Sequence, residues 1–332
     1  MSKIVVGIIG AGRIGKVHTQ SILNFIPDVK VKYVADVFEG SREWVDKLGH
    51  VSFTTDVNKI FSDPEVKAVL ICSSTDTHVK YIIEAARAKK HIFCEKPVDH
   101  DIGRILEAKQ AVEDNGVKFQ IGFNRRFDHN FRKVRQLIEE GEVGNTYFIN
   151  ITSRDPDAPP ISYVKVSGGM FMDMTIHDFD MARFLAGSEV KEVYAKGAVF
   201  VNPEIGKAGD IDSAVIILSF ENGVIATINN CRKASYGYDQ RVEVFGSKGK
   251  VEISNDTSST AVLSNGIGVI SEKPLNFFMD RYTQSYVDEI KEFIDAIINN
   301  KETPTDMSDG LKSVEIAKAA RKSVDTGLPV KM

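Results

Sequence analysis

The apolar run from Lys3 to Ile9 passes directly into Gly10-Ala11-Gly12-Arg13-Ile14-Gly15, and a helical pattern opens inside that loop. A strand that turns through glycines at this spacing into a helix has few ways to fold, and it predicts the first step of a parallel sheet covered by helices. Each glycine has its own task. Gly10 permits the tight turn, Gly12 lets the backbone approach a pyrophosphate, and Gly15 lets the helix lie close against the strand. The helix N-terminus then points N–H groups at the phosphates. The next apolar segment, Val29 to Val37, carries Asp36 ~20 residues beyond the glycines, the spacing at which a carboxylate meets the hydroxyls of an adenosine ribose. Gly10, Gly12, Arg13, Ile14, Gly15 and Asp36 are therefore candidate dinucleotide contacts, with Arg13 placed to touch adenosine or phosphate.

From residue 1 to 123 short apolar runs alternate with helical patterns, the texture of a doubly wound α/β domain. From 124 to 332 the texture changes to an α+β domain with a large, mainly antiparallel sheet. Its strands read as Thr146 to Ser153, Val190 to Val201, Ser213 to Phe220, Val224 to Cys231, Arg241 to Phe245 and Lys250 to Ile253, with Glu221-Asn222-Gly223 as a hairpin turn. One helix is expected from Phe171 to Ala186, and a helical tail from Tyr282 to Asp325 packs back over the chain.

Composition narrows the partners. A net charge of -4 without long runs of one sign gives no basic stripe for nucleic acid or an anionic membrane. No apolar run approaches the ~20 residues of a membrane span. Met1-Ser2-Lys3 leads straight into the first strand with no signal-peptide pattern, so a cytoplasmic location is expected. Cys72, Cys94 and Cys231 lack the spacing of a disulfide framework or zinc site and read as small core residues.

Four groups carry chemistry, one of them Asn124-Arg125-Arg126-Phe127 with Tyr236-Gly237-Tyr238-Asp239, whose donors and aromatic faces suit a polyhydroxylated ring and equally an interdomain ion pair or a β-turn. Ser73-Ser74-Thr75-Asp76-Thr77-His78 follows the fourth strand, where open α/β sheets bind ligands; Ser73, Ser74, Thr75 and His78 are candidate cofactor contacts, and the same residues suit a helix N-cap. Glu95-Lys96-Pro97 ends the fifth strand, and Pro97 keeps Lys96 out of the helical region and makes a cis bond possible. An ammonium held near a nicotinamide would orient a substrate hydroxyl and stabilise its developing charge; a solvated lysine beside a salt-bridging Glu95 is the plainer reading. Asp173 and His177, four residues apart on one expected helix, suit a general base whose tautomer is fixed by a carboxylate, or a structural pair on a helix surface. A single histidine with nearby aspartates is too sparse for a metal site.

Taken in order, the glycine fingerprint, Cys94-Glu95-Lys96-Pro97, Gly122-Phe123-Asn124-Arg125-Arg126-Phe127 and Asp173 to His177 resemble the glucose-fructose oxidoreductase and inositol dehydrogenase family over essentially the whole chain. Within it, Ser153-Arg154-Asp155-Pro156, Gly168-Gly169 and Tyr236-Gly237-Tyr238-Asp239 are similar to the inositol 2-dehydrogenases. The resemblance implies NAD as cofactor and oxidation of the polyol myo-inositol to a keto-inositol. It also implies Lys96, Asp173 and His177 as the catalytic set, with Glu95 and Lys96 beside the cofactor. Arg125, Asp155 and Tyr238 join the catalytic set as substrate contacts, and the C-terminal sheet builds a homotetramer. The rival expectations are a dehydrogenase of scyllo-inositol or another cyclic sugar, and a catalytically silent dinucleotide sensor.

Overall fold

The computed structural model describes residues 3–332, so Met1 and Ser2 of the expected entry into the first strand lie outside the described residues. Six short strands form the first sheet: β1 (Ile4–Ile9), β2 (Val29–Ala35), β3 (Ser52–Thr54), β4 (Val66–Ile71), β5 (His91–Glu95) and β6 (Phe119–Gly122). Their order is β3-β2-β1-β4-β5-β6, and every pairing is parallel. The chain runs outward in both directions from the β1/β4 pair, which opens a crevice at the carboxyl ends of those strands. Near-continuous apolar sequence is what such strands need, because helices cover both faces.

The core of this unit holds Val6, Ile8, Val31, Val34, Leu70 and Phe93, together with Val287, Ile290, Phe293 and Ile294 from the helix Thr283–Ile298. Burying each such side chain is worth roughly 1.5–3 kcal/mol. The compact unit consequently comprises the chain up to Phe127 plus Gln284–Val314. This differs from the division at residue 123/124, which left the tail with the second domain. Helical periodicity identifies an apolar face, but does not say which core receives it.

The second unit comprises Asp128–Thr283 and Glu315–Met332. Its strands are β7 (Thr146–Arg154), β8 (Val190–Ala198), β9 (Ser213–Phe220), β10 (Ile225–Cys231), β11 (Asp239–Gly246) and β12 (Gly249–Ile253), then a separate hairpin of β13 (Val262–Asn265) and β14 (Gly268–Ser271), and finally β15 (Val330–Lys331). The large sheet runs β12-β11-β7-β10-β9-β8-β15 and is antiparallel except for the β7/β10 pair. Gly223, at φ +87°, makes the expected turn between β9 and β10. The β13–β14 hairpin escaped sequence reading because all its residues are exposed, and no buried face imposes an alternation on them. Cys72 and Cys94 are buried as expected, whereas Cys231 is only partly so, on the outward-facing side of β10.

Candidate active site

In the first unit the predicted cofactor residues sit at the carboxyl ends of the parallel strands. Gly10 has φ +100°, and a Cβ there would lie 2.6 Å from the carbonyl carbon of Cys72. A Cβ at Gly15 would lie 2.0 Å from the Gly10 carbonyl oxygen, so only glycine lets the helix sit this close. At Gly12 a Cβ would meet nothing within 4 Å. The backbone there is open to a ligand at the start of the helix Arg13–Phe25, whose first turn carries no acidic residue. Asp36 follows β2; its Oδ2 accepts from Ala11 N–H at 2.6 Å and its Oδ1 from Phe38 N–H at 2.8 Å. Each oxygen keeps a further lone pair for a ribose hydroxyl. An open glycine turn at a helix N-terminus and a carboxylate at the end of the next strand together fit a dinucleotide.

After β4, Ser73 Oγ hydrogen bonds Thr77 Oγ1 at 2.7 Å, while exposed Ser74 takes the N-cap position of the helix Thr75–Arg87 without using its hydroxyl as the cap. His78 and Glu95 differ from expectation. His78 is buried, with Nδ1 2.8 Å from the Pro97 carbonyl and Nε2 3.0 Å from the Ser73 carbonyl; the neutral ring donates its one N–H to one of these two carbonyls and turns into the fold. Burial pushes its pKa down. Glu95 turns inward to His18 Nε2, 2.7 Å away, filling the space that the absent side chain of Gly122 leaves. Lys96 follows at the strand end, joined to Pro97 by a cis peptide bond. Arg125 lies buried in the short 3-10 helix Asn124–Phe127, where neighbouring Arg126 pairs with Asp309 at 2.7 Å.

In the second unit the single helix expected from Phe171 to Ala186 is two, Met170–Asp173 and Ile176–Ala186. Asp173 and His177 therefore do not share a continuous helix face. Between them Thr175 N–H reaches back five residues to the Met170 carbonyl at 3.0 Å, and His177 N–H only three, to Met174 at 3.4 Å. Side chains fix the break: Thr175 Oγ1 donates to Asn230 Oδ1 at 2.7 Å, and Asn230 Nδ2 donates to Asp178 Oδ2 at 2.8 Å. Asp173 accepts from Tyr163 Oη at 2.8 Å and from Arg232 Nη1 at 3.1 Å, two donors that hold it as an acceptor. Asp155 joins the site's loop to β10 through its backbone, bonding the Cys231 carbonyl and the Ala234 N–H. Tyr238 is buried, edge-on to Tyr282 with ring centroids 6.0 Å apart.

Tyr163, Arg232, Asn230, His18 and Glu289 were not among the sequence candidates. Three of them carried a legible signal. In β10 the inward positions are Ala226, Ile228 and Asn230, and Arg232 continues that parity just past the strand end; a polar residue at inward parity needs a buried partner. Glu289 likewise lies on the apolar stripe of its helix, beside Tyr286, Ile290 and Phe293.

An open parallel sheet with a glycine turn at its crevice, joined in one chain to an α+β unit, is the architecture of a dinucleotide-dependent oxidoreductase. Residues 4–123 match the oxidoreductase family with an NAD-binding Rossmann fold, and residues 131–252 match the GFO/IDH/MocA C-terminal domain; the chain belongs to this GFO/IDH/MocA oxidoreductase family. It is 52% identical to a Bacillus subtilis protein described as an oxidoreductase, YrbE, across 99% of this chain and 96% of that one. It is 45% identical to the myo-inositol 2-dehydrogenase of Thermotoga maritima, across 98% of each chain. Among solved structures, the scyllo-inositol dehydrogenase of Lactobacillus casei with bound NAD(H) and scyllo-inositol superposes with a TM-score of 0.92 at 31% identity, covering 99% of both chains.

Proposed function

We propose that this chain is an NAD-dependent inositol 2-dehydrogenase that oxidises myo-inositol to a keto-inositol. The observation that carries the substrate assignment is the full-length likeness to a myo-inositol 2-dehydrogenase at 45% identity, set against 31% to a scyllo-inositol enzyme. NAD, when bound, supplies the hydride acceptor. The chain's own residues position the substrate and move its proton. His177 takes the proton of the reacting hydroxyl. Asp173, fixed by Tyr163 and Arg232, orients the imidazole and supports its positive charge. Lys96 donates to the same oxygen and stabilises the charge that develops there. Arg125, Asp155 and Tyr238 are proposed substrate contacts, and the mixture of cations, carboxylates and a phenol suits a neutral polyol better than a hydroxy acid.

A panel of myo-inositol, scyllo-inositol, glucose, xylose and malate, followed by reduced-nicotinamide absorbance, tests the assignment. The highest kcat/KM is expected with myo-inositol; highest efficiency with scyllo-inositol or a sugar overturns the substrate, and turnover of malate alone overturns the polyol class.

NAD is expected to be preferred over NADP, because a 2′-phosphate brings like charge against Asp36. Changing Asp36→Ser should narrow that preference by an amount on the order of a few kcal/mol in apparent binding. Equal kcat/KM for both cofactors in the parent protein overturns this role.

The reading extends to a cytoplasmic homotetramer. No helix among the described residues is long and apolar enough to cross a membrane. The outward face of the large sheet supports self-association: Phe245 pairs with Phe148 and Phe148 with Ile225, a row of half-exposed apolar side chains across three adjacent strands. Light scattering of the purified protein distinguishes a tetramer from a monomer.

A further inference from the structure

We propose that His18, Glu95 and Glu289 form a buried positioning cluster in which Glu289 carries a proton, leaving His18 committed to Glu95 so that it keeps Glu95, and with it the adjoining Lys96, in place. The inference rests on the proposed role of Lys96 only for its effect on rate.

The cluster draws on three elements: the helix Arg13–Phe25 that follows the glycine turn, the end of β5, and the helix Thr283–Ile298. His18 and Glu289 have no exposed surface, and Glu95 is 8% exposed. His18 Nε2 lies 2.7 Å from Glu95 Oε1, a hydrogen bond, and 3.9 Å from Glu289 Oε1. No hydrogen-bond donor reaches either oxygen of Glu289. One imidazole thus faces two carboxylates, and its Nε2–H is already committed to one of them. An ionised carboxylate without donors or solvent is among the costliest groups to bury, so the second carboxylate takes up a proton instead.

The Cys72 and Cys94 thiols, from β4's end and from β5, are pushed up by burial and by the nearby Glu95, and so stay neutral. Phe93 and Tyr286 stand edge-on to the His18 ring, and the Gln120 side chain donates to the backbone carbonyl of Glu289, not to its carboxyl. Burial and then the charge of Glu95 push the Glu289 carboxyl well up.

Geometry ties the cluster to the site. Glu95 is the last residue of β5 and Lys96 the next one along, so fixing the Glu95 side chain fixes the strand end from which Lys96 departs. The Glu95 carboxylate lies 3.1 Å from where a Gly122 Cβ would be, so β6 has no side chain to displace it.

The sign of the linkage follows from a carboxyl whose proton is held more tightly in the folded chain than in the unfolded one. Its contribution is fully present at low pH. It is lost as pH rises from the ordinary carboxylate range towards the folded-state value, because only the unfolded chain releases the proton freely.

The test uses the whole enzyme and Glu289→Gln, which keeps the shape and fixes the neutral state. At neutral pH the parent should show the infrared carbonyl band of a protonated carboxyl, and Glu289→Gln should lack it. Over the pH range above the ordinary carboxylate values in which Glu289 stays protonated, the folding equilibrium constant of Glu289→Gln should gain on the parent by up to about tenfold per pH unit. Its kcat should remain within a few-fold of the parent at neutral pH. His18→Ala should lower kcat about tenfold or more through misplacement of Lys96, with His18→Gln restoring part of the loss and NAD affinity unchanged. A parent without the band, a band that persists in Glu289→Gln, or a stoichiometric divalent metal removed by chelator together with stability overturns the cluster. An unchanged kcat in His18→Ala overturns its positioning role. Should Glu289→Gln fail to fold, the band of the parent alone decides the protonation state. If Lys96→Ala is fully active while the band is present, the catalytic reading fails and the protonated cluster stands.

Discussion

His177→Ala is expected to lower kcat by about 10²-fold or more, the scale of general-base catalysis. Removing the imidazole takes away the group proposed to receive the hydroxyl proton, and the acid limb of the kcat/KM pH profile should shift or vanish with it. Lys96→Ala should lose as much or more, because the charge on the reacting oxygen then goes unsupported. Both losses should fall on chemistry. NAD affinity by fluorescence titration should stay within a few-fold of the parent, since the glycine turn and Asp36 belong to other strand ends. A His177→Ala enzyme with near-parent turnover and an unaltered pH profile would send the proton to another group, whatever the substrate proves to be.

The largest effect on stability is expected from Arg232→Met. Arg232 is 1% exposed, donates to Asp173 at 3.1 Å, and has Nη2 4.0 Å from Asp210 Oδ2. Asp210 in turn accepts from Met170 N–H at 3.1 Å, at the start of the short helix that ends in Asp173. Taking away the cation leaves buried Asp210 and part-buried Asp173 without it, a loss of about 3 kcal/mol, the lower end for breaking a buried pair. Denaturant unfolding should show it. Turnover should fall as well, since Asp173 loses the Arg232 donor. A variant as stable as its parent would mean that Arg232 is not what compensates Asp173.

The first sheet was legible almost strand by strand because buried parallel strands are short, apolar and set off by turns. The glycine turn was legible because each glycine answers a steric demand that local spacing expresses: Gly10 against Cys72, Gly15 against Gly10 itself. Asp36 was found by the same local rule. Long-range partners were not. Nothing near Asp173 in sequence points to Arg232, which comes to it from β10's end 59 residues on. The broken helix between Asp173 and His177 hid for the same reason: Asn230, not local propensity, sets the break. The burial of His78 was not legible because a histidine at a strand-to-helix turn looks alike whether it faces a ligand or turns into the fold. The inward turn of Glu95 was not legible because nothing in the local sequence says that His18 lies on that side.

The return of Gln284–Val314 to the first unit bears on how the polypeptide is made. A ribosome delivers all six strands of the first sheet long before Val287, Ile290, Phe293 and Ile294 emerge, yet those four side chains close the core that holds Ile8, Leu70 and Phe93. The nascent dinucleotide-binding half therefore waits with an apolar flank uncovered while residues 128–283 of the second unit are synthesised. Glu289 arrives on that same late helix, so the acid beside His18 is installed only late in synthesis.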